Sequence, residues 1–182
     1  MPERATLPGI DHIVVVGLMG AGKSTIGRGL AARLGWPWLD SDDEIERATG
    51  QTVRELRESE GVDAMHAREA DQLLAALADP GPLVESAAAS IADVDSCLAA
   101  LRAPGVAVVW LRASAATLAS RFDRQAHRPA YGDDPHEFLT EQMATRGPRF
   151  ASVDPVIVDE DGRMPDETVD LALAALRERA TA

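Results

Sequence analysis

Gly17-Leu18-Met19-Gly20-Ala21-Gly22-Lys23-Ser24-Thr25 decides the architecture of this chain, with Ile13-Val14-Val15-Val16 before it and Ile26, Leu30 and Leu34 after it. The stretch satisfies G-x-x-x-x-G-K-[ST], and its flanks supply the setting that motif requires, a buried strand before and a helix after. Glycines let the backbone curl until its N–H groups converge on phosphate oxygens, and the helix N-terminus adds a favourable field. Gly20, Ala21, Gly22, Lys23, Ser24 and Thr25 are therefore the expected nucleotide contacts. Within them Lys23 should reach the β- and γ-phosphates, and Ser24 should offer its hydroxyl to Mg²⁺.

Outward from this loop, strand-like and helix-like segments alternate, the pattern of a parallel sheet covered by helices on both faces. The first helix should end at Gly35, and Trp36-Pro37-Trp38-Leu39 reads as a short second strand. Ser41 with Glu44, and Thr52 with Glu55, have the spacing of capping boxes that open two helices. A longer helix is expected over 63–77, a third strand at Leu83-Val84, a helix over 94–101 and a continuous apolar strand over 106–111. Ser114 should cap a helix running to about Arg121. Two prolines, a glycine and two arginines within 124–135 read as a mobile loop. A helix over 138–146, a fifth strand over 156–158 and a helix over 165–180 close the chain. No repeat or linker divides it, so residues 1–182 read as one domain.

Composition narrows the function. Eighteen basic and 30 acidic residues give a net charge of −12 at pH 7. That balance argues against nucleic acid or an anionic membrane as partner and makes the placement of each cation informative. The apolar fraction of 46% and the charged fraction of 26% are ordinary for a globular protein. The single Cys97 excludes an intramolecular disulfide, suits a reducing cytoplasm and reads as core or helix filler rather than a nucleophile. The N-terminal residues carry no apolar signal region, and no stretch approaches membrane-spanning length. The histidines His12, His66, His127 and His136 lack metal-ligand spacing, so no structural metal is expected.

In a sheet of this kind ligands gather at the carboxyl ends of the strands. There Asp40-x-Asp42 follows the second strand; one carboxylate could hold Mg²⁺ directly or through water, and the other could accept the proton of an attacking hydroxyl. Asp43 and Glu44 read only as acids favoured at a helix N-terminus. Arg121, Arg124 and Arg128 cluster in an otherwise acidic chain, and an arginine on a closing loop can stabilise charge on a transferred phosphoryl. Arg146 or the neighbouring Arg149 could meet an anionic substrate.

In this order the motifs resemble the shikimate kinase family, from about residue 12 onward. The resemblance is carried by the loop at 17–25, Leu39-Asp-Ser-Asp42, Gly50-Gln-Thr-Val53, the segment 61–69, Val109-Val-Trp-Leu111, Arg128-Pro129 and Arg146-Gly-Pro-Arg-Phe150. It implies a three-layer, nucleoside monophosphate kinase-like P-loop fold with sheet order 2-3-1-4-5, a lid near 122–135 and an acceptor-binding helical region near 41–78. It further implies a monomer that transfers the γ-phosphoryl of ATP, with Mg²⁺, to a hydroxyl of a small cyclic acid or polyol. By matching position, Asp40 lies near the metal, Asp42 holds the acceptor hydroxyl, and Arg121 lies beside the adenine. Arg128 is the lid arginine, and Arg146 faces the acceptor carboxylate.

Several positions depart from the family pattern, all on the acceptor side. Its glycine triplet after strand three is here Ala87-Ala88-Ala89, which adds methyl groups and resists positive φ. Its arginine in the segment after Gly61 is His66, which exchanges a permanent charge for a group mostly neutral at pH 7. The usual glutamate is Val62, and Glu85 ends strand three where the family is small or apolar. His66, Glu85 and Ala88 are therefore expected beside the acceptor. The acceptor is expected to differ from shikimate, being less anionic or bearing an amine that Glu85 meets. A gluconate-type kinase shares the loop and fits 52–69 less well. A switch GTPase would need an N-K-x-D motif that is absent. A nucleotide-binding regulatory protein without catalysis is the alternative from another class.

Overall fold

The computed structural model describes residues 5–122 and 134–181. The apolar run before the loop forms β1 (Ile10–Val16), in which residues 13–16 are all 0% exposed. Such a run lacks the alternation of a half-exposed strand because β1 is central. It pairs in parallel with β3 (Leu83–Ser86) on one side and β4 (Gly105–Arg112) on the other. Outside these lie β2 (Trp38–Asp40) and β5 (Val156–Asp159), completing the order β2-β3-β1-β4-β5. This is the P-loop kinase fold.

The pleat sorts side chains onto two faces. On one face pack α1 (Lys23–Leu34) and α8 (Pro165–Ala180). The Trp38 ring lies so close to Gly27 of α1 that a Cβ there would sit 2.2 Å from it. On the other face lie α4 (Val62–Ala78), α5 (Asp95–Leu101) and α7 (Pro135–Ala151). Cys97 of α5 is buried, its thiol 3.9 Å from the Ala70 carbonyl of α4. Trp110 of β4 meets Phe150 of α7 with ring centroids 5.8 Å apart. Three further helices among the described residues are α2 (Ser41–Thr49), α3 (Val53–Glu60) and α6 (Ala115–Phe122).

Capping chemistry explains where expectation and structure agree. The Thr52–Glu55 box forms in full, Ser114 Oγ accepts from Thr117 N at 3.2 Å, and α8 spans the residues its pattern predicts. At α2 the cap moves one residue earlier, because Asp40 accepts from Asp42 N at 3.1 Å and leaves Ser41 inside the helix. Helix α7 begins three residues before its expected start. Asp134 accepts from the N–H groups of His136 and Glu137, and Pro135 occupies a first-turn position that needs no N–H. A 3-10 turn at Ala89–Asp93 was not expected. No helix among the described residues is long and apolar enough to cross a membrane.

Candidate active site

The loop from β1 to α1 is shaped by conformations that only glycine adopts cheaply. Gly22, which caps α1, is left-handed at φ 75°. Gly17 has φ 150°, and a Cβ there would lie 2.6 Å from the Leu111 carbonyl oxygen of neighbouring β4. Gly17→Ala should therefore cost roughly 1–3 kcal/mol of stability, because a backbone carbonyl cannot yield as a side-chain tip would. It should also weaken ATP binding at least tenfold by displacing the loop; thermal melts and calorimetric titration with ATP measure both. Gly20, Gly22, Lys23, Ser24 and Thr25 line a cleft of about 1450 Å³. Ala21 is 1% exposed beneath them, and its N–H donates to the Leu18 carbonyl at 3.1 Å. Lys23 Nζ lies 3.4 Å from the same carbonyl.

Arg121 clasps this loop from α6. Its Nη1 donates to the Gly20 carbonyl and to Glu160 Oε2, each at 2.9 Å. Glu160 follows β5 and is buried; desolvation raises its pKa, and the guanidinium opposes that rise. This acid at the cleft was not foreseen, since nothing local to 156–162 marks it as more than a loop residue.

Across the cleft, Asp40 and Ser86 stand opposite each other in the β2–β3 register, and Ser86 Oγ donates to Asp40 Oδ2 at 2.9 Å. Asp42, in the first turn of α2, lines the same cleft. Glu69 of α4 is 6% exposed and accepts from Ser90 Oγ. Burial pushes Glu69 up to about 7, and Ser90 counters it. The charge of Asp42 adds to the rise, while those of Lys23 and Arg146 oppose it, so all three act on one carboxyl. Glu69 was missed because it falls on the apolar stripe of α4 with Met65, Ala70 and Leu73, where a sequence reader expects core. Burial and then the positive charge of Arg146 lower the pKa of His66. Arg146 donates through Nε and Nη2 to Asp93 Oδ2, at 3.0 and 2.6 Å. Arg149, the other candidate, is bound to the Ala92 carbonyl and Asp95 and does not line the cleft.

A family model described as Shikimate kinase matches residues 19–177, most of the chain and every described residue that lines this cleft except Leu18. The chain belongs to the shikimate kinase family. This ATP-dependent kinase is 40% identical over 159 residues to the shikimate kinase of Paramagnetospirillum magneticum, covering 86% of this chain and 80% of that one. It also resembles a solved shikimate kinase from Acinetobacter baumannii in complex with shikimate, with TM-score 0.81 and 29% identity over 94% of each chain. A gluconokinase from Sinorhizobium meliloti 1021 matches with TM-score 0.67 and 28% identity, covering 98% of this chain and 96% of that one.

Within the kinase, Asp40, Asp42, His66, Ala88 and Arg146 share the cleft with the phosphate loop. Glu85 does not. It lies one residue before Ser86, so the pleat turns it to the opposite face, toward Gln72 of α4 and Glu44 of α2, where it is 1% exposed. An acceptor amine cannot meet it there. The alanine triplet carries no left-handed strain either: Ala88 is extended at φ −62°, and Asp154 is the only non-glycine residue at positive φ among those described. Arg128, with Arg124 and most of the expected lid, lies outside the described residues.

The donor set fits magnesium. Asp40 and Ser24 both line the cleft and carry the hard oxygen donors that this ion takes. Among the described residues no group of three or more acids, histidines or cysteines gathers around a metal-sized point. An ion that arrives bound to phosphates needs only one or two protein ligands.

Proposed function

We propose that this kinase transfers the γ-phosphoryl of ATP to a hydroxyl of a small polyhydroxylated acid, with shikimate the first acceptor to test. The observation that supports this most directly is the meeting of Lys23 and Asp42 across one cleft, close enough that both act on Glu69. Lys23 and the loop amides hold the phosphates, Arg121 and Glu160 flank the nucleotide end, and Arg146 holds the acceptor. Asp42 takes the proton of the acceptor hydroxyl as its oxygen bonds to the γ-phosphorus and the bond to the β-phosphate oxygen breaks, releasing ADP. Asp40 and Ser24 would hold Mg²⁺, whose charge would neutralise that of the phosphates. Arg128 is retained as the lid arginine on the strength of the resemblance.

The expectation of an amine-bearing acceptor loses its motive with Glu85 outside the cleft, and nothing in the relatives sets shikimate aside. We read the protein as a cytoplasmic monomer, since one chain supplies both sides of the cleft and its single buried cysteine suits a reducing compartment. A coupled assay of ATP consumption against shikimate, aminoshikimate, gluconate and neutral cyclitols tests the reading. Turnover of shikimate above the others is the expected result. Preference for gluconate would move the protein to the second kinase class, and no stimulation by any alcohol would leave a nucleotide binder without catalysis.

A further inference from the structure

Resting on the reading above that the loop at 17–25 holds the phosphates of ATP, we infer that Glu160 is a positioning residue for the nucleotide, acting through Arg121 to fix the curl of that loop. A triphosphate carries several negative charges, so a cleft that takes it gains from cations and loses from a neighbouring carboxylate. Glu160 nevertheless lines the cleft, with its side chain 5% exposed. Its carboxylate lies against the last glycine of the loop, where a Cβ on Gly22 would stand 3.4 Å from Glu160 Oε1. An acid in that place cannot attract the phosphates. Its role lies with the guanidinium it touches.

Arg121 Nη1 has two N–H groups, and it donates to Glu160 Oε2 and to the Gly20 carbonyl, each at 2.9 Å. The carboxylate thereby sets the direction of the N–H that meets Gly20. The peptide plane between Gly20 and Ala21 is then held at both ends, its carbonyl by Arg121 and its N–H by the Leu18 carbonyl at 3.1 Å. Directly after that plane, Gly22 turns the chain into α1, whose first-turn N–H groups have no partner within the helix. The hold is anchored outside the loop. The Glu160 N–H donates to the Arg112 carbonyl at the end of β4 at 2.9 Å, and the next residue, Asp161, accepts from the Ser114 N–H just before α6 at 3.1 Å. Consecutive acids after β5 thus fasten α6 at its beginning and in its last turn, where Arg121 stands. Helix α6 in turn presses on the loop, since a Cβ on Gly20 would lie 3.3 Å from the Leu118 carbonyl. A charged pair keeps one geometry more firmly than a neutral one, because hydrogen bonds between ionised partners are about twice as strong.

Calorimetric titration with ATP tests this. Glu160→Ala should raise the Kd about tenfold or more, the effect of losing a charge-assisted hydrogen bond. Glu160→Gln keeps an oxygen acceptor for Nη1 and should stay within about threefold of the wild type, which also serves as the folded control. Were the acid only an unfavourable charge beside the phosphates, both variants would bind ATP more tightly, and that result overturns the positioning role. In an Arg121→Met background, Glu160→Ala should add less than about twofold, since Glu160 acts through the guanidinium; an undiminished further loss overturns it. Without nucleotide, the Ala21 amide should exchange its hydrogen about tenfold faster in Glu160→Ala, a change exceeding any in the β1 amides, and equal protection of Ala21 in the two proteins overturns it as well. These failures leave the proposed function standing. If the wild type binds no ATP, the reading of the loop falls and this inference falls with it.

Discussion

Asp42→Asn should lose turnover by about 10²–10⁴-fold while binding ATP as the wild type does. The side chains have nearly the same shape, and the start of α2 depends on the Asp42 backbone N–H donating to Asp40, which the substitution leaves in place. What disappears is the basic oxygen proposed above to take the proton from the acceptor hydroxyl. Rapid-mixing or coupled assays give kcat, and calorimetry gives the ATP affinity. Retained turnover would remove Asp42 from the chemistry. A parallel loss of ATP affinity would show that it supports the nucleotide rather than the acceptor. The same variant separates a kinase from a silent nucleotide binder, which has no turnover to lose.

The second large effect concerns stability and lies on the far face of the sheet from the phosphate loop. Glu85 is 1% exposed, and its carboxyl group faces the Gln72 side chain of α4. Burial pushes its pKa up to about 8; the nearby Gln72 amide opposes the rise, and the charge of Glu44 adds to it. The folded pKa therefore lies above the unfolded one, the reverse of the usual carboxylate. At acid pH below the unfolded pKa, Glu85 is protonated in both states and costs nothing by this route. As pH rises from there toward 8, the unfolded chain releases the proton and the folded one keeps it, so stability falls by about 1.4 kcal/mol per pH unit. Above the folded pKa the loss stops growing. By pH 7 it amounts to about 3 kcal/mol. Glu85→Gln removes this slope and should be the more stable protein at pH 7–8. Urea unfolding at pH 5, 6, 7 and 8 measures it, and parallel curves for the two proteins would show that Glu85 is ionised or hydrated after all.

How much of this was legible depended on whether the signal was local. The loop at 17–25, the apolar run of β1, the Thr52–Glu55 box and helix α8 were readable because motif, periodicity and cap lie within a few residues of one another. The cap of α2 slipped by one because Asp40 and Ser41 are both good caps, and the bond from Ser86 on another strand favours Asp40. The start of α7 was missed because Asp134-Pro135 serves equally as a turn and as a helix opening. On the acceptor side the misses share one cause. Glu69 falls on the core stripe of α4, where nothing local marks a carboxyl as part of a site, and Glu85 was expected beside the acceptor. Each was decided by the face its backbone presents once β3 and α4 are packed together.

The linear chain on its own determined the phosphate loop, the alternation of strand and helix and the family, because these rest on short-range geometry and on residue types that few other arrangements require. Only the folded structure decided which charges share a cleft. A pleat of period two turned Glu85 away from Ser86, while packing of the Ala89–Asp93 turn against both α4 and α7 placed His66 and Arg146 on one cleft. Charge placement across a site is a property of packing between segments far apart in sequence, and spacing along the chain does not encode it.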